Sequence, residues 1–346
     1  MKTLLVCCIC LAFLSPATPA LTAAPEPKVK PIELRLALMI PPTHARWTLC
    51  MEPWIKMVEE RTGGKIKIVP YFAETLAKSA EVYQATVRGI SDMGEMVLEV
   101  VPGRFPLGDF SLLPGVPYPN NATASRMYWH FYDTVPEFKA QFSDSKVILL
   151  FAQSRNVVMS KKPVHSLEDL KGKKYYAGGP AGVLVVKALG ATPVTMSMAD
   201  VYLSVDKGVL DGVVSNVSLL TSRKFAELMK YVVLGTSLGA ASYVVNMNPD
   251  TWKKLPPDVQ KVFDELGGKW GAEFFGKGMD TEDERAMEES KAKYKCDFFQ
   301  LPQAEVAKWN KALDPVQEQW IKGIEAKGLP ARKMFEEYRR FISAAK

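Results

Sequence analysis

Hydrophobic and polar positions change their period along the chain, and the changes mark out its elements. Glu33 to Leu38 alternates between apolar and polar, and Lys65 to Val69 does so again. That period of two belongs to half-buried strands. Between them Trp47, Cys50, Met51, Trp54, Met57 and Val58 recur at every third or fourth position, which predicts a helix over 46–61 stopped by Gly63-Gly64. A helix over 79–89 and a strand over 92–98 follow. The succession strand, helix, strand, helix, strand predicts a parallel sheet covered by helices. The Pro- and Gly-rich stretch 102–119 reads as a loop, 122–142 as a helix with a break at Pro136, and 146–152 as a strongly apolar strand.

A second α/β run begins at Ser166-Leu167-Glu168-Asp169, which has the form of a capping box. Strands are predicted over 173–177, 193–196, 213–214, 231–234 and 242–247, and helices over 181–189, 199–207 and 218–229. The chain then turns helical. One long charged helix is expected over 257–294, bent near Gly267-Gly268 or Gly276. A strand over 296–301 and helices over 303–327 and 331–345 complete the chain. No flexible linker and no internal repeat separates the two runs. Two α/β lobes are therefore expected, joined by short segments where the chain crosses between them, with a cleft that is a natural place for a ligand. The expected division is 31–152 with about 243–285 in lobe I, and 153–242 with about 286–346 in lobe II.

The amino terminus changes the picture. Lys2 precedes a short apolar run, Leu4 to Leu14, then Pro16 and the small residues Thr18, Ala20, Ala23 and Ala24. This order predicts a secretory signal over 1–24, and a periplasmic location for the mature protein. The run is too short to cross a bilayer, and no later stretch is long and apolar enough. Beyond the signal two cysteines remain, Cys50 and Cys296, and the sequence leaves open whether they pair. The net charge of +6 is spread along the chain without a basic block. It fits a mild attraction for anions and speaks against nucleic acid.

Candidate chemistry is sparse. Gly235-Thr236-Ser237-Leu238-Gly239 matches the G-x-S-x-G nucleophile elbow. A strand, not a helix, is expected after it, and His44, His130 and His165 all precede it, so it reads as a strand connection. No zinc-binding spacing occurs, and no metal, cofactor or catalytic set is expected. Gly178-Gly179-Pro180-Ala181-Gly182 opens a helix after a strand, where backbone N–H groups attract anions. Arg155 follows an apolar strand, at a place where a guanidinium can grip a carboxylate through two parallel bonds.

Three stretches carry a family resemblance: Ser166-Leu167-Glu168-Asp169-Leu170-Lys171-Gly172-Lys173-Lys174; Ala188-Leu189-Gly190-Ala191-Thr192-Pro193-Val194-Thr195-Met196; and Asp200-Val201-Tyr202 with Lys207-Gly208-Val209-Leu210-Asp211-Gly212. Thr62-Gly63-Gly64-Lys65-Ile66 and Gly89-Ile90-Ser91-Asp92 fit the same pattern upstream. Together they resemble the periplasmic solute-binding subunit of TRAP (tripartite ATP-independent periplasmic) transporters, of the dicarboxylate-binding type. The resemblance implies a two-lobe, type II-like periplasmic binding fold with hinge strands and a long helix spanning both lobes. It implies a monomer that delivers an organic acid to the small and large membrane subunits of a permease, without catalysis. A binding protein feeding a sensor and a secreted enzyme are the alternatives.

The departures from the family pattern bear on the ligand. Tyr176 stands where the family carries its carboxylate-gripping Arg, Met198 where an aromatic is frequent, and Val213-Val214-Ser215 before Asn216 where Gln-Glu-Asn is frequent. A second family Arg has its match in Arg155. Losing a guanidinium and gaining a phenol ring implies a monocarboxylate with a hydrophobic or aromatic body. The expected ligand-binding residues are Arg155, Tyr176, Gly179, Met198, Ser215 and Asn216, with His44, Trp47 and Phe72 from the first lobe.

Overall fold

A computed structural model describes residues 30–153 and 156–344. The expected signal over 1–24 and the bet on Arg155 lie outside the described residues. Two sheets organise the rest. The first contains β1 (Ile32–Leu38), β2 (Ile66–Tyr71), β3 (Met93–Val97), β4 (Lys146–Gln153) and β10 (Ala241–Met247), in the order β2-β1-β3-β10-β4. The second contains β5 (Asn156–Ser160), β6 (Lys174–Ala177), β7 (Thr192–Val194), β8 (Gly212–Asn216), β9 (Tyr231–Leu234) and β11 (Asp297–Gln300), in the order β11-β9-β5-β8-β6-β7. The fold is α/β, as expected, but the sheets are mixed. β1 pairs with β2 and β3 in parallel, whereas β10 enters antiparallel between β3 and β4. The correction to the all-parallel expectation comes from strands that arrive from the far side of a crossing. β5, which the periodicity did not reveal, lies antiparallel to both β8 and β9.

Alternation sends successive side chains to opposite faces, and each sheet has an apolar layer on both. On β10, Val244 joins Met96, Phe110 and Met127 on one face, while Tyr243 and Val245 join Trp54, Phe151 and Phe275 on the other. On the second sheet Val158 and Tyr175 face Val185 and Trp309, and Met159 and Tyr176 face Val201 and Phe225.

The covering helices are α1 (Glu52–Arg61), α2 (Val82–Val87), α3 (Asn121–Thr134), α4 (Pro136–Ala140), α5 (Gly179–Ala188), α6 (Met198–Asp206), α7 (Leu219–Ser222), α8 (Pro249–Lys254), α9 (Pro257–Leu266), α10 (Gly268–Tyr294), α11 (Gln303–Glu325) and α12 (Ala331–Ala344). Pro136 divides α3 from α4, where it takes the first helical position. The expected long helix is two, α9 and α10. Gly268 has φ +58°, and a Cβ on Gly267 would strike the carbonyls of Ile148 and Phe263. The helix expected over 218–229 is also interrupted, because Lys224 adopts the left-handed φ of +58°.

Two helices serve both sheets. α10 buries Phe275 and Met279 on the first and brings Met287 to the second. At 23 residues and a 1.5 Å rise each, α11 is about 35 Å long. It places Trp309 and Leu313 in the second core and Trp320 and Ile324 in the first. α12 then packs Met334, Phe335 and Tyr338 against Phe110. This end of the chain was expected with lobe II; it packs under the first sheet because α11 carries it there.

Cys50 and Cys296 are free and buried in different cores. Their thiols point at the carbonyls of Phe275 and Met229, both at 3.6 Å. Among the described residues no helix is long and apolar enough to cross a membrane.

Candidate ligand-binding site

A cavity of about 320 Å³ lies where the two sheets face each other. The first sheet and its loops contribute Met39, Ile40, His44, Arg46, Val97, Glu99, Gln153 and Tyr243. The second contributes Tyr176, Gly179, Val185, Met198, Ser215, Asn216, Leu219 and Arg223. All five described second-lobe candidates from the sequence, Tyr176, Gly179, Met198, Ser215 and Asn216, are therefore brought together, with His44 opposite. Trp47 and Phe72 are not among the lining residues. Their rings meet edge to face at 4.7 Å and pack on the first core.

Tyr176 ends up at the cavity because β6 runs beside β8 and points alternate residues toward α6. Burial raises its hydroxyl above the usual phenol range, with Arg223 pulling the other way. The phenol is thus a neutral donor. Asn216 closes β8: its Oδ1 accepts from the Ser218 amide at 3.0 Å and the Ser218 hydroxyl at 2.7 Å. Its Nδ2 is buried without a partner among the described residues. Gln153, the last residue of β4, donates from Nε2 to Asp283 at 3.0 Å and to Ser218 at 3.3 Å.

Among the described residues, two guanidiniums that the sequence reading missed give the cavity its charge. Arg46 is 4% exposed and sits 2.9 Å from Glu95 Oε1 on β3. It also lies 4.4 Å from the centre of the Tyr243 ring, a cation–π arrangement. Burial opposes its charge, but Glu95, Tyr243 and Glu282 together outweigh it and the group stays protonated. Arg46 was hidden because it opens an amphipathic helix, where a basic residue reads as solvated. Arg223 follows α7 and is half-buried. Among the described residues it forms no ion pair with any carboxylate. Burial and then Arg46 depress its pKa, so it too wants a counter-charge. The predicted helix over 218–229 masked it; the break at Lys224 has no clear sequence signal.

His44 lies in the loop after β1. The Arg46 amide donates to its Nδ1 at 3.0 Å, which leaves the proton on Nε2. Burial and then Arg46 and Arg223 push its pKa down to about 3, so the ring is neutral. An unfolded His titrates near 6.5. Below that pH the unfolded chain gains a proton that the folded one refuses down to about 3, and stability falls with pH through that window. Urea unfolding of His44→Gln between these limits is expected to show a shallower loss than the wild type; an identical slope would remove His44 from the acid response.

Gly179 opens α5 with φ +65°. A Cβ there would stand 3.6 Å from the Cβ of Glu99, across the cavity. This is a contact between the halves that only a small residue allows, and a left-handed φ strains any other by about 1–2 kcal/mol. Gly179→Val is expected to weaken ligand binding by about tenfold in calorimetry, through strain and a propped-open cleft; unchanged affinity would show that the approach of Gly179 to Glu99 is not needed.

The G-x-S-x-G stretch is confirmed as a connection. Ser237 Oγ donates to the Val116 carbonyl at 2.8 Å, and β10, a strand, follows it. No cluster of three or more metal-ligating side chains occurs among the described residues.

The sequence model of the DctP family, "Bacterial extracellular solute-binding protein, family 7", matches residues 39–323. A protein of Salmonella typhimurium, YiiZ, itself uncharacterized, is 28% identical over 265 residues, 71% of this chain and 75% of that one. A TRAP periplasmic solute-binding protein from Desulfovibrio salexigens, solved as an open complex, superposes with a TM-score of 0.80 at 30% identity, covering 90% of this chain and 95% of that one. A marine metagenome TRAP solute-binding protein specific for aromatic acids, solved with 3-hydroxybenzoate, gives 0.85 at 25% identity, covering 91% and 99%.

Proposed function

Because the chain belongs to family 7 of the bacterial extracellular solute-binding proteins, we propose that it captures a monocarboxylate with an aromatic or otherwise hydrophobic body and delivers it to a TRAP permease. The observation that carries the ligand class is Arg223. It is a cavity guanidinium without a carboxylate among the described residues, whereas Arg46 is already neutralised by Glu95. Among the described residues the cavity carries one uncompensated positive charge, which favours a single carboxylate that the planar fork can hold through two bonds. Tyr176 and His44 Nε2 add neutral donors. Ile40, Val97, Val185, Met198 and Leu219 offer apolar walls to the remainder of the ligand. The aromatic acid held by the marine relative supports the same class.

Capture works by cleft closure. A ligand touching Arg223 and Asn216 on one side and His44 on the other binds the closed state better than the open one and shifts the population toward it. The closed form then docks on the two membrane subunits of the permease. The signal over 1–24 sends the chain to the periplasm and is removed there.

Mass spectrometry of the small molecule released on denaturing purified protein tests this reading directly, with calorimetry against aromatic monocarboxylates and C4-dicarboxylates alongside. A released aromatic or aliphatic monocarboxylate is expected. Tight binding of a C4-dicarboxylate with none for monocarboxylates would overturn it.

A further inference from the structure

Arg46 is matched in charge but not in hydrogen bonds. Its Nε sits 2.9 Å from Glu95, yet neither oxygen of that carboxylate completes a hydrogen bond with it or with any other group among the described residues. Of the guanidinium nitrogens, Nε is the one shut off from solvent. Nη1 and Nη2 keep accessible surface and carry no hydrogen bond among the described residues, and the residue lines the cavity. Nε is turned to β3, and the Tyr243 ring covers one face of the group. What stays open to the cavity is the Nη edge with its N–H donors. Arg223 lines the same cavity from the side of the second sheet. His44 stands beside Arg46, its Nδ1 accepting from the Arg46 amide at 3.0 Å. The guanidiniums feel each other: burial and then Arg46 depress the pKa of Arg223, and burial and then both of them depress that of His44. Two cations that face one water-poor cavity repel, and an anion between them relieves the repulsion.

We propose that Arg46 is a ligand-contacting residue, its Nη nitrogens donating from the first lobe to the same carboxylate that Arg223 holds from the second. The inference rests on the monocarboxylate reading and deepens it: Glu95 settles the charge of Arg46 and leaves its outer donors for the ligand. A carboxylate has two oxygens and about four lone-pair sites, enough for a guanidinium on each side. Both reach it only when the cleft closes, so the grip itself favours the closed state. It also sets specificity. A group with a single acceptor oxygen, such as a carboxamide, answers one guanidinium and leaves the donors of the other unpaired.

The test is calorimetry with benzoate, phenylacetate and hexanoate on wild type, Arg46→Lys and the double variant Arg46→Met with Glu95→Leu, each checked for folding by circular dichroism. Arg46→Lys keeps a cation beside Glu95 but presents a point charge in place of the Nη edge. About a tenfold loss of affinity is expected for whichever acid binds the wild type most tightly. The double variant removes a cation and an anion together, so net charge is unchanged, and a loss of at least that size is expected. Combining Arg46→Lys with Arg223→Gln separates a shared grip from a distant effect. Where one carboxylate meets both side chains, the two losses are expected to combine to less than their product, because an anion released by one guanidinium is no longer held against the other. Affinity within about twofold of the wild type in Arg46→Lys, or losses that simply multiply, overturns the role of Arg46 and leaves the ligand class standing. Those two measurements decide the matter should the double variant fold poorly. Failure of all three acids to bind the wild type overturns both.

Discussion

Arg223→Gln is expected to weaken binding of an aromatic monocarboxylate by about 30- to 150-fold, with the fold intact. The reasoning is electrostatic. A hydrogen bond to a charged partner in a water-poor site contributes roughly 2–3 kcal/mol, and each 1.4 kcal/mol is about tenfold. Among the described residues of the cavity Arg46 is the other guanidinium, and Glu95 has already matched it. Gln keeps the length and some hydrogen bonding but removes the charge that a carboxylate needs. Arg223→Lys is expected to fall between, because a point charge replaces a planar fork. Calorimetry on the three proteins, with circular dichroism to check folding, decides. An Arg223→Gln protein that binds as tightly as the wild type would leave the ligand's charge to be met elsewhere and would remove the central support for the proposed ligand class.

Glu95→Ala is expected to be the most destabilising single change at the site, by roughly 3–5 kcal/mol, because it strands a buried cation. Both partners are nearly inaccessible: side-chain exposure is 5% for Arg46 and 0% for Glu95. The cost of desolvating a guanidinium is met by the carboxylate at 2.9 Å and by the face of Tyr243. With the carboxylate gone only the ring and the charge of Glu282, beyond ion-pair distance, remain. The double variant Arg46→Met with Glu95→Leu is expected to recover most of the loss, since neither charge of the pair is then buried. Urea unfolding midpoints for wild type, single and double variants form the test. A Glu95→Ala midpoint equal to that of the wild type would mean that water reaches Arg46 and that the pair is not a buried one.

The sequence carried the fold further than the site. Periodicity revealed β1, β2 and α1, and β4 stood out as a longer, strongly apolar run buried on both faces. Periodicity passed over β5, five residues of which Val157 to Ser160 are all buried, since a short apolar run has no period of its own. The mixed pairing was hidden for a different reason: direction depends on where the chain crosses, and no local pattern encodes that. Tyr176 and Met198 were found because they flank the family-like stretches at inherited spacing. Arg46, Arg223 and Glu99 lie outside those stretches. Each is a charged residue on a segment that reads as surface, and only the way the two sheets face each other turns it inward.

The place of β10 in the first sheet has a consequence for how the molecule comes into being. Residues 241–247 are the filling between β3 and β4, which leave the ribosome some ninety or more residues earlier in the chain. Until that segment emerges, the two neighbours have no strand to bridge them and their inner edges stay open. The nascent polypeptide therefore cannot finish its amino-terminal half in order of synthesis, and it reaches its native state only after most of its length has been made.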